Sequence, residues 1–322
     1  MNARLLAHVL ALRAQWRRRE RWDATQITAH RSQALARLRA RTYAHSAFYR
    51  RHHTGLLDAP LAELPPVTKA ELMTHFDEAV TVPGLRRAEV EAHLQALVAS
   101  DADPGSPWRG RWWAAATAGT TGQPGVFEWD RSEWATLLAS YARANDWAQV
   151  PAGLTHPLRM AVTSSRVPTH QSAVVGASVQ FPLVPTLRLD ATSPLFQTVA
   201  ALNTFGPRLL VGYPSVLRPL ATEQLAGRLM ITPQAVLSAA EVHSLAAATD
   251  IKAAWGRSPS TFMRPPRPPG LPPRAGSAPA MFMRIWSSSS RSKTPARPCR
   301  SAPWGPGCWR RCCSPGPAVD PL

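Results

Sequence analysis

Apolar positions first recur at helical spacing. In MNARLLAHVLALRAQWRRRERW, Leu5, Val9 and Leu12 fall on one face while arginines cluster at the far end, the pattern of a basic amphipathic helix packed by that face. The spacing predicts a second helix from about Ala24 to Tyr49, with Leu35, Leu38 and Tyr43 inward. Pro65 and Pro66 close the next segment, after which Thr68 and Glu71 have the spacing of a capping box. Residues 86–99 read as a helix, and so does Ser132 to about Ala148, capped by Asp130 or Ser132.

Beyond that point the period changes. Short apolar runs (LRMAVTSS, SVQFPLVPT, RLLVGYPS, AVLSAAE) alternate with helices near Pro194 to Asn203, up to Leu225, and from Val242 to Trp255. Apolar strands separated by helices predict an α/β fold with a largely parallel sheet. In such sheets ligands bind at the loops that follow the strands.

One loop stands out, the centre of AAATAGTTGQPGVFEWD at 114–130. A tight hairpin needs only two to five residues and favours Asn-Gly or Asp-Gly. This one carries Thr117, Thr120 and Thr121 among Ala118, Gly119, Gly122, Gln123, Pro124 and Gly125. Hydroxyls and unobstructed backbone N–H groups suit a phosphate. The loop is not the phosphate loop of nucleotide hydrolases, because no Lys-Ser/Thr follows its glycines. On residue types alone, a flexible surface hairpin is the favoured account.

Composition alters this picture only at the C-terminal end. The 322 residues are 45% hydrophobic, enough for a sizeable core, and no apolar run approaches the length of a membrane span. The N-terminal apolar run is too short, and too closely followed by arginines, for a signal peptide, so a cytoplasmic location is expected. Of the net charge of +17, residues 258–322 supply +9 (ten Lys or Arg, one Asp) and the rest of the chain +8. All four cysteines (Cys299, Cys308, Cys312, Cys313) also lie there, as do 15 of the 32 prolines. Adjacent Cys312 and Cys313, without a paired Cys-x-x-Cys, exclude a zinc knuckle. Two compositions are therefore joined near Arg257. The first, 1–257, reads as a globular domain. The second, 258–322, reads by its Pro, Ser and Arg bias as a disordered tail, which as a genuine module would bind nucleic acid non-specifically through its arginines.

Three further places carry candidate chemistry. Ser238, Ala239, Ala240 and Glu241 follow an apolar strand, although an acid at that point is also what a helix N-terminus favours. Tyr213, Pro214 and Ser215 follow another strand as a turn, where Tyr213 is equally a half-buried aromatic. His170, in SSRVPTHQS, is either loop surface or a contact to a bound group.

Together these segments resemble the adenylate-forming (AMP-binding) enzymes. TAGTTGQPG is similar to that superfamily's Thr/Ser-Ser/Ala-Gly-Thr-Thr-Gly-Lys-Pro signature. HSAFYRRH, LAELPPVTKAELMTHFD, VGYPSVLRPLA and SAAEVHSLAAATDIKAAWG resemble, in order, landmarks of its phenylacetate–CoA ligase-like branch, from about Ser32 to Gly256. The resemblance implies an N-terminal adenylation domain and the use of ATP, Mg2+ and CoA. A carboxylic acid would attack ATP to give acyl-AMP and pyrophosphate, and a thiol would then take the acyl group. Thr117 to Pro124 would wrap the ATP phosphates, with Gln123 where the family has Lys. Ser238 to Glu241 would lie beside the adenine, while His170, Tyr213, Pro214 and Ser215 would lie on the acyl side. The expected partners are a small carboxylic acid and a thiol acceptor, not nucleic acid. A non-catalytic nucleotide-binding relative is the other reading of the same landmarks.

The family's next landmark, Tyr-x-x-Thr-Glu, is not in the printed residues after Gly256, so 1–257 would be an incomplete domain without its magnesium-site Glu. Moving the reading frame by one base near 258–260 allows Phe262 to Pro266 to become Tyr-Ala-Ala-Thr-Glu. The same shift allows VHEDLV from Met281 to Ser287, and Asp-Ala-Gly followed one residue later by Pro-Val-Pro from Lys293 to Arg300. A frameshift accounts for the jumps in charge, proline and cysteine at once, whereas a basic module accounts only for the charge. Ligase activity of the chain as written is accordingly expected to be impaired.

Overall fold

A computed structural model describes residues 3–100, 102–117, 124–150, 157–179, 181–242, 244–256 and 260–261. The expected tail at 258–322, apart from Ser260 and Thr261, lies outside the described residues, as does its proposed frameshift. The elements in chain order are helices α1 (Ala3–Arg19), α2 (Ala24–His45), α3 (Ala47–His52), α4 (Lys69–Thr74), α5 (Phe76–Ala79) and α6 (Arg87–Ser100). Then come strands β1 (Trp113–Ala116) and β2 (Val126–Trp129), α7 (Arg131–Trp147), β3 (Met160–Ser164), α8 (Gln171–Ser178), β4 (Thr186–Asp190) and α9 (Leu195–Phe205). The series closes with β5 (Leu209–Gly212), α10 (Pro214–Leu225), β6 (Ala235–Ser238), α11 (Leu245–Trp255) and β7 (Ser260–Thr261).

The fold is α/β. Strands β3 to β7 form one parallel sheet in the order β4-β3-β5-β6-β7. The period of two along β5 and β6 sends alternate side chains to opposite faces, and both faces are covered. Leu210 and Val236 pack with Leu202, Leu217, Leu220 and Ile251 of α9, α10 and α11. Leu209, Val211, Ala235 and Leu237 pack on the other face with Ala144 of α7 and Val150. The apolar runs at 209–212 and 235–238 are strands buried from both sides.

The hairpin β1–β2 is a separate antiparallel sheet, outside the parallel one that the alternation of strands and helices led us to expect. Trp113 and Ala115 meet α1 and α7, with Trp113 stacked on Trp134 at 5.6 Å between ring centroids. Ala114 and Val126 face Phe76, Val90 and Leu94. Asp146 of α7 accepts hydrogen bonds from Arg13 and Arg17 of α1, so part of the arginine excess is spent inside the domain. Burial pushes the Asp146 carboxyl up, yet the two guanidinium groups hold it below the usual carboxylate range.

Several local expectations hold. Thr68 and Glu71 form the capping box, Asp130 caps α7 with Glu133 as its reciprocal partner, and Leu5 and Val9 are buried. Others are corrected. The single helix expected over 24–49 is broken at Ser46, whose side chain caps α3 while its backbone N–H ends α2. No residue of α2 is buried, and Leu38 is 40% exposed, so the spacing of Leu35, Leu38 and Tyr43 does not mark a core face. The strand expected at SVQFPLVPT begins later, at Thr186. The last helix begins at Leu245 behind Ser244, not at Val242.

Candidate active site at the ends of β3, β5 and β6

The strand order reverses between β3 and β5. In an open parallel sheet the crevice at such a switch point, beyond the carboxyl ends of the strands, is where ligands bind. The chain places its candidate residues there. Gly212 ends β5 without a side chain for a physical reason: a Cβ would sit 2.2 Å from Thr163 Oγ1 and 3.2 Å from Leu217 Cδ2. That close approach lets β5 turn at once into α10, with Tyr213 as N-cap and Pro214 at its first position, where the missing N–H costs nothing.

Tyr213 reaches back across the switch point. Its hydroxyl accepts from Ser165 N–H at 3.0 Å and lies 3.3 Å from Ser172 Oγ. Ser165 Oγ accepts from Val167 N–H at 3.2 Å and is 2.8 Å from His170 Nδ1. Burial lowers the His170 pKa, which favours a neutral ring. On the far side, Tyr141 of α7 has its phenol pushed up by burial and then by Tyr213.

The end of β6 is tied to the same place. Ala239 N–H donates to Gly212 O at 3.1 Å. Glu241 N–H donates to Ala239 O at 2.9 Å around Ala240, whose φ of 66° is left-handed. This is a γ-turn of the strained kind. It directs Glu241 away from α11 and onto the start of α10, where the carboxylate accepts from Ser215 N–H at 3.0 Å and Ser215 Oγ at 2.8 Å. The alternative reading of Glu241 as a helix N-terminal acid is therefore realised, but on the preceding helix. Ser238 is buried beneath the turn.

Of the Gly/Thr loop, Ala118, Gly119, Thr120, Thr121, Gly122 and Gln123 lie outside the described residues. Its neck is described. Thr117 N–H donates to Gly125 O at 2.9 Å, and Thr117 Oγ1 accepts from Gly125 N–H at 2.8 Å, leaving Pro124 exposed just inside it. Ala116 N–H donates to Thr169 O at 2.8 Å, which sets the neck beside His170. Among the described residues, hydrogen bonds thus connect the neck of the loop to the 165–170 turn, that turn to Tyr213, and Gly212 and Ser215 to the turn after β6.

Sequence reasoning missed Ser165, Ser172 and Tyr141. Ser165 was the findable one, as the first hydroxyl past an apolar strand. It also missed Glu128 of β2. Burial, then Glu133 and Asp77, push the Glu128 carboxyl up to about 8, and its Oε2 is sealed from solvent without a hydrogen-bond partner. Among the described residues no three His, Cys, Asp or Glu side chains are grouped to hold a metal, and no helix is long and apolar enough to cross a membrane. A groove of about 500 Å³ between α4, α5 and α6 is lined by none of the strand-end residues.

No family model and no curated protein matches the sequence. The fold is similar in part to solved structures. An open conformation of 2-hydroxyisobutyryl-CoA ligase in complex with 2-HIB-AMP and CoA is 16% identical, with a TM-score of 0.46 over 76% of this chain and 54% of that one. A malonyl-CoA ligase with methylmalonyl-CoA and AMP bound is 22% identical, with a TM-score of 0.35 over 45% and 31%. An acyl-CoA synthetase (AMP-forming)/AMP-acid ligase II-like protein from Dyadobacter fermentans is 20% identical, with a TM-score of 0.32 over 44% and 37%. The chain spans about half the length of the first of these and about a third of the others.

Proposed function

We propose that residues 1–257 are the nucleotide-binding part of an acyl-adenylate-forming ligase of the phenylacetate–CoA ligase-like branch, acting on a small carboxylic acid and a thiol acceptor such as CoA. One observation carries the reading. The neck of the loop that resembles the family's signature, the 165–170 turn and the two strand-end landmarks are far apart in sequence, and hydrogen bonds at Ala116–Thr169, Ser165–Tyr213, Ala239–Gly212 and Ser215–Glu241 connect them, which supports the reading.

The groups so connected fit an adenylate. They are neutral donors and acceptors (Ser165, His170, Ser172 and Tyr213) beside the neck of a loop rich in hydroxyls and backbone N–H groups, suited to phosphoryl and carboxyl oxygens. ATP, when bound, would supply the AMP group that a carboxylate oxygen takes as pyrophosphate leaves. The chain's own part is to hold the phosphates with Thr117 to Pro124, seat the adenine against Ser238 to Glu241, and orient the acid with His170, Tyr213, Pro214 and Ser215. Gln123 in place of Lys leaves one fewer positive charge for the departing pyrophosphate. Among the described residues no group of three or more His, Cys, Asp or Glu side chains is assembled for Mg2+. We assign residues 258–322 to a shifted reading frame, which removes the segment that would complete the domain.

Two measurements on the 322-residue chain test this. Saturable AMP binding, weakened by Gly122→Val, is the expected result, with ATP–pyrophosphate exchange absent or very slow. Restoring the frame near codon 258 should raise exchange. A chain that binds no adenine nucleotide overturns the reading, and brisk exchange by the unrepaired chain overturns the frameshift assignment.

A further inference from the structure

We propose that Ser165 is a positioning residue that holds His170 with its ring proton on Nε2, so that the imidazole presents a fixed hydrogen-bond donor to an anionic oxygen, phosphoryl or carboxylate, bound where β3 and β5 end. The nature of the ligand rests on the function proposed above; the tautomer rests on local geometry alone.

The assignment follows from counting donors. Ser165 Oγ already accepts from Val167 N–H at 3.2 Å and lies 2.8 Å from His170 Nδ1. A serine hydroxyl has one proton to give and two lone pairs to fill. If Nδ1 carried the ring proton, Ser165 Oγ would accept twice, and its own proton would find no acceptor among the described residues. With Nδ1 bare, the hydroxyl proton goes to it and every group is used, which leaves the ring proton on Nε2. That atom makes no hydrogen bond to a described residue and is not sealed from solvent.

Both ends of the segment are anchored. Ser165 N–H is held by the Tyr213 hydroxyl at 3.0 Å, and Thr169 O by Ala116 N–H at 2.8 Å, so the ring is carried between the β5–α10 turn and the neck of the Gly/Thr loop. Burial lowers the imidazole pKa, which favours the neutral ring. A ring so held has no free lone pair for a proton: Nδ1 is engaged and Nε2 is protonated. The geometry makes His170 a donor rather than a base.

The test uses the 322-residue chain labelled with 15N-histidine. Long-range 1H–15N correlations report the tautomer, and calorimetry reports binding of AMP and of phenylacetate, taken separately. Wild type should show the Nε2–H form. Ser165→Ala should give a mixture of tautomers and weaken one ligand roughly threefold to tenfold, the cost of one misaimed hydrogen bond. Ser165→Thr should restore both. A shift of the Nε2–H resonance on adding AMP identifies a phosphoryl oxygen as the acceptor, and a shift with phenylacetate alone identifies a carboxylate. An Nδ1–H form in wild type overturns the proposal, and so does an unchanged tautomer in Ser165→Ala. AMP binding that leaves the His170 resonances unmoved, with phenylacetate also silent there, overturns it while leaving the proposed function standing. Absence of binding by both ligands removes that function and the donor role with it.

Discussion

Glu241 grips Ser215 twice, its two carboxylate oxygens accepting from the backbone N–H at 3.0 Å and from the hydroxyl at 2.8 Å. The pair joins the turn after β6 to the first turn of α10, and so fixes the spacing of two neighbouring strand ends at the crevice. A carboxylate is well placed there, since the N–H groups of a helix's first turn have no partner within the helix and carry partial positive charge.

Removing that carboxylate should cost stability as the loss of a helix cap does. Glu241→Ala is expected to lower unfolding stability by about 1 kcal/mol. Ser215→Ala keeps the backbone donor and should cost less. Because the two side chains share one contact, the double variant should lose less than the sum of the single variants. Urea unfolding of the four proteins measures this, and strict additivity would mean that the bond between the Ser215 hydroxyl and the Glu241 carboxylate contributes nothing in solution.

Ala240 sits at φ 66°, where an L side chain is strained and glycine is not. Ala240→Gly relieves the strain at some cost in chain entropy, for an expected net gain of roughly 0.5 kcal/mol. Ala240→Val, β-branched at the same angle, should lose more than about 1 kcal/mol. A shift of both variants in the same direction would show that the turn does not hold this conformation in solution.

The sheet was the most legible part of the sequence. Its strands β5 and β6 are buried on both faces and leave continuous apolar runs such as LLVG, and helices α9 and α11 end at plain caps, Gly206 and Gly256. The break at Ser46 was not legible, because serine suits a helix start and a short interruption equally well. The inward face assigned to α2 failed because a few apolar residues at helical spacing do not show that anything packs against them. Within the site, strand-end position located Tyr213 and Glu241, but not their partners. That Glu241 reaches backward to α10 depends on the sign of one backbone angle at Ala240, an alanine where sequence reasoning would look for glycine or asparagine. His170 could be picked out by its type and Ser165 by its place just past an apolar run, whereas their pairing, and the hold of Tyr213 on Ser165, appear only once β3 and β5 lie side by side.

Gly212 is the tightest point of the crevice. An added methyl would meet Thr163 Oγ1 at 2.2 Å, and Thr163 is fully buried. Gly212→Ala is therefore expected to cost about 1–3 kcal/mol, the range for overpacking a close-packed interior. Thr163→Ala in that background takes away the nearest clashing atom and should recover part of the loss, although on its own it destabilises by removing the hydrogen bond to Val211 O at 3.3 Å. Chemical denaturation of the three variants decides the matter. A double variant no better than Gly212→Ala alone would place the obstruction at Leu217, 3.2 Å away, rather than at Thr163.

Glu128 gives the domain a pH dependence of unusual sign. Burial, with Glu133 and Asp77 nearby, pushes its carboxyl up to about 8, whereas in the unfolded chain it returns to its ordinary value of 4.5. Between those two values the folded protein holds a proton that the unfolded chain has released. Stability therefore falls as pH rises through this window, by up to about 1.4 kcal/mol per unit, and levels off above about pH 8. Structural carboxylates held by cations, such as Asp146, work the other way and lose their contribution as pH falls. Glu128→Gln keeps the shape and cannot ionise. Its stability should exceed that of wild type by an amount that grows from pH 5 to pH 8, as read from urea midpoints at each pH. Because β2 follows the Gly/Thr loop directly, the same substitution should slow amide exchange at Gly125 and Val126 at the upper end of that range. Stability curves that run parallel from pH 5 to pH 8 would mean that Glu128 is ionised in the folded protein and that the hairpin opens to water around it.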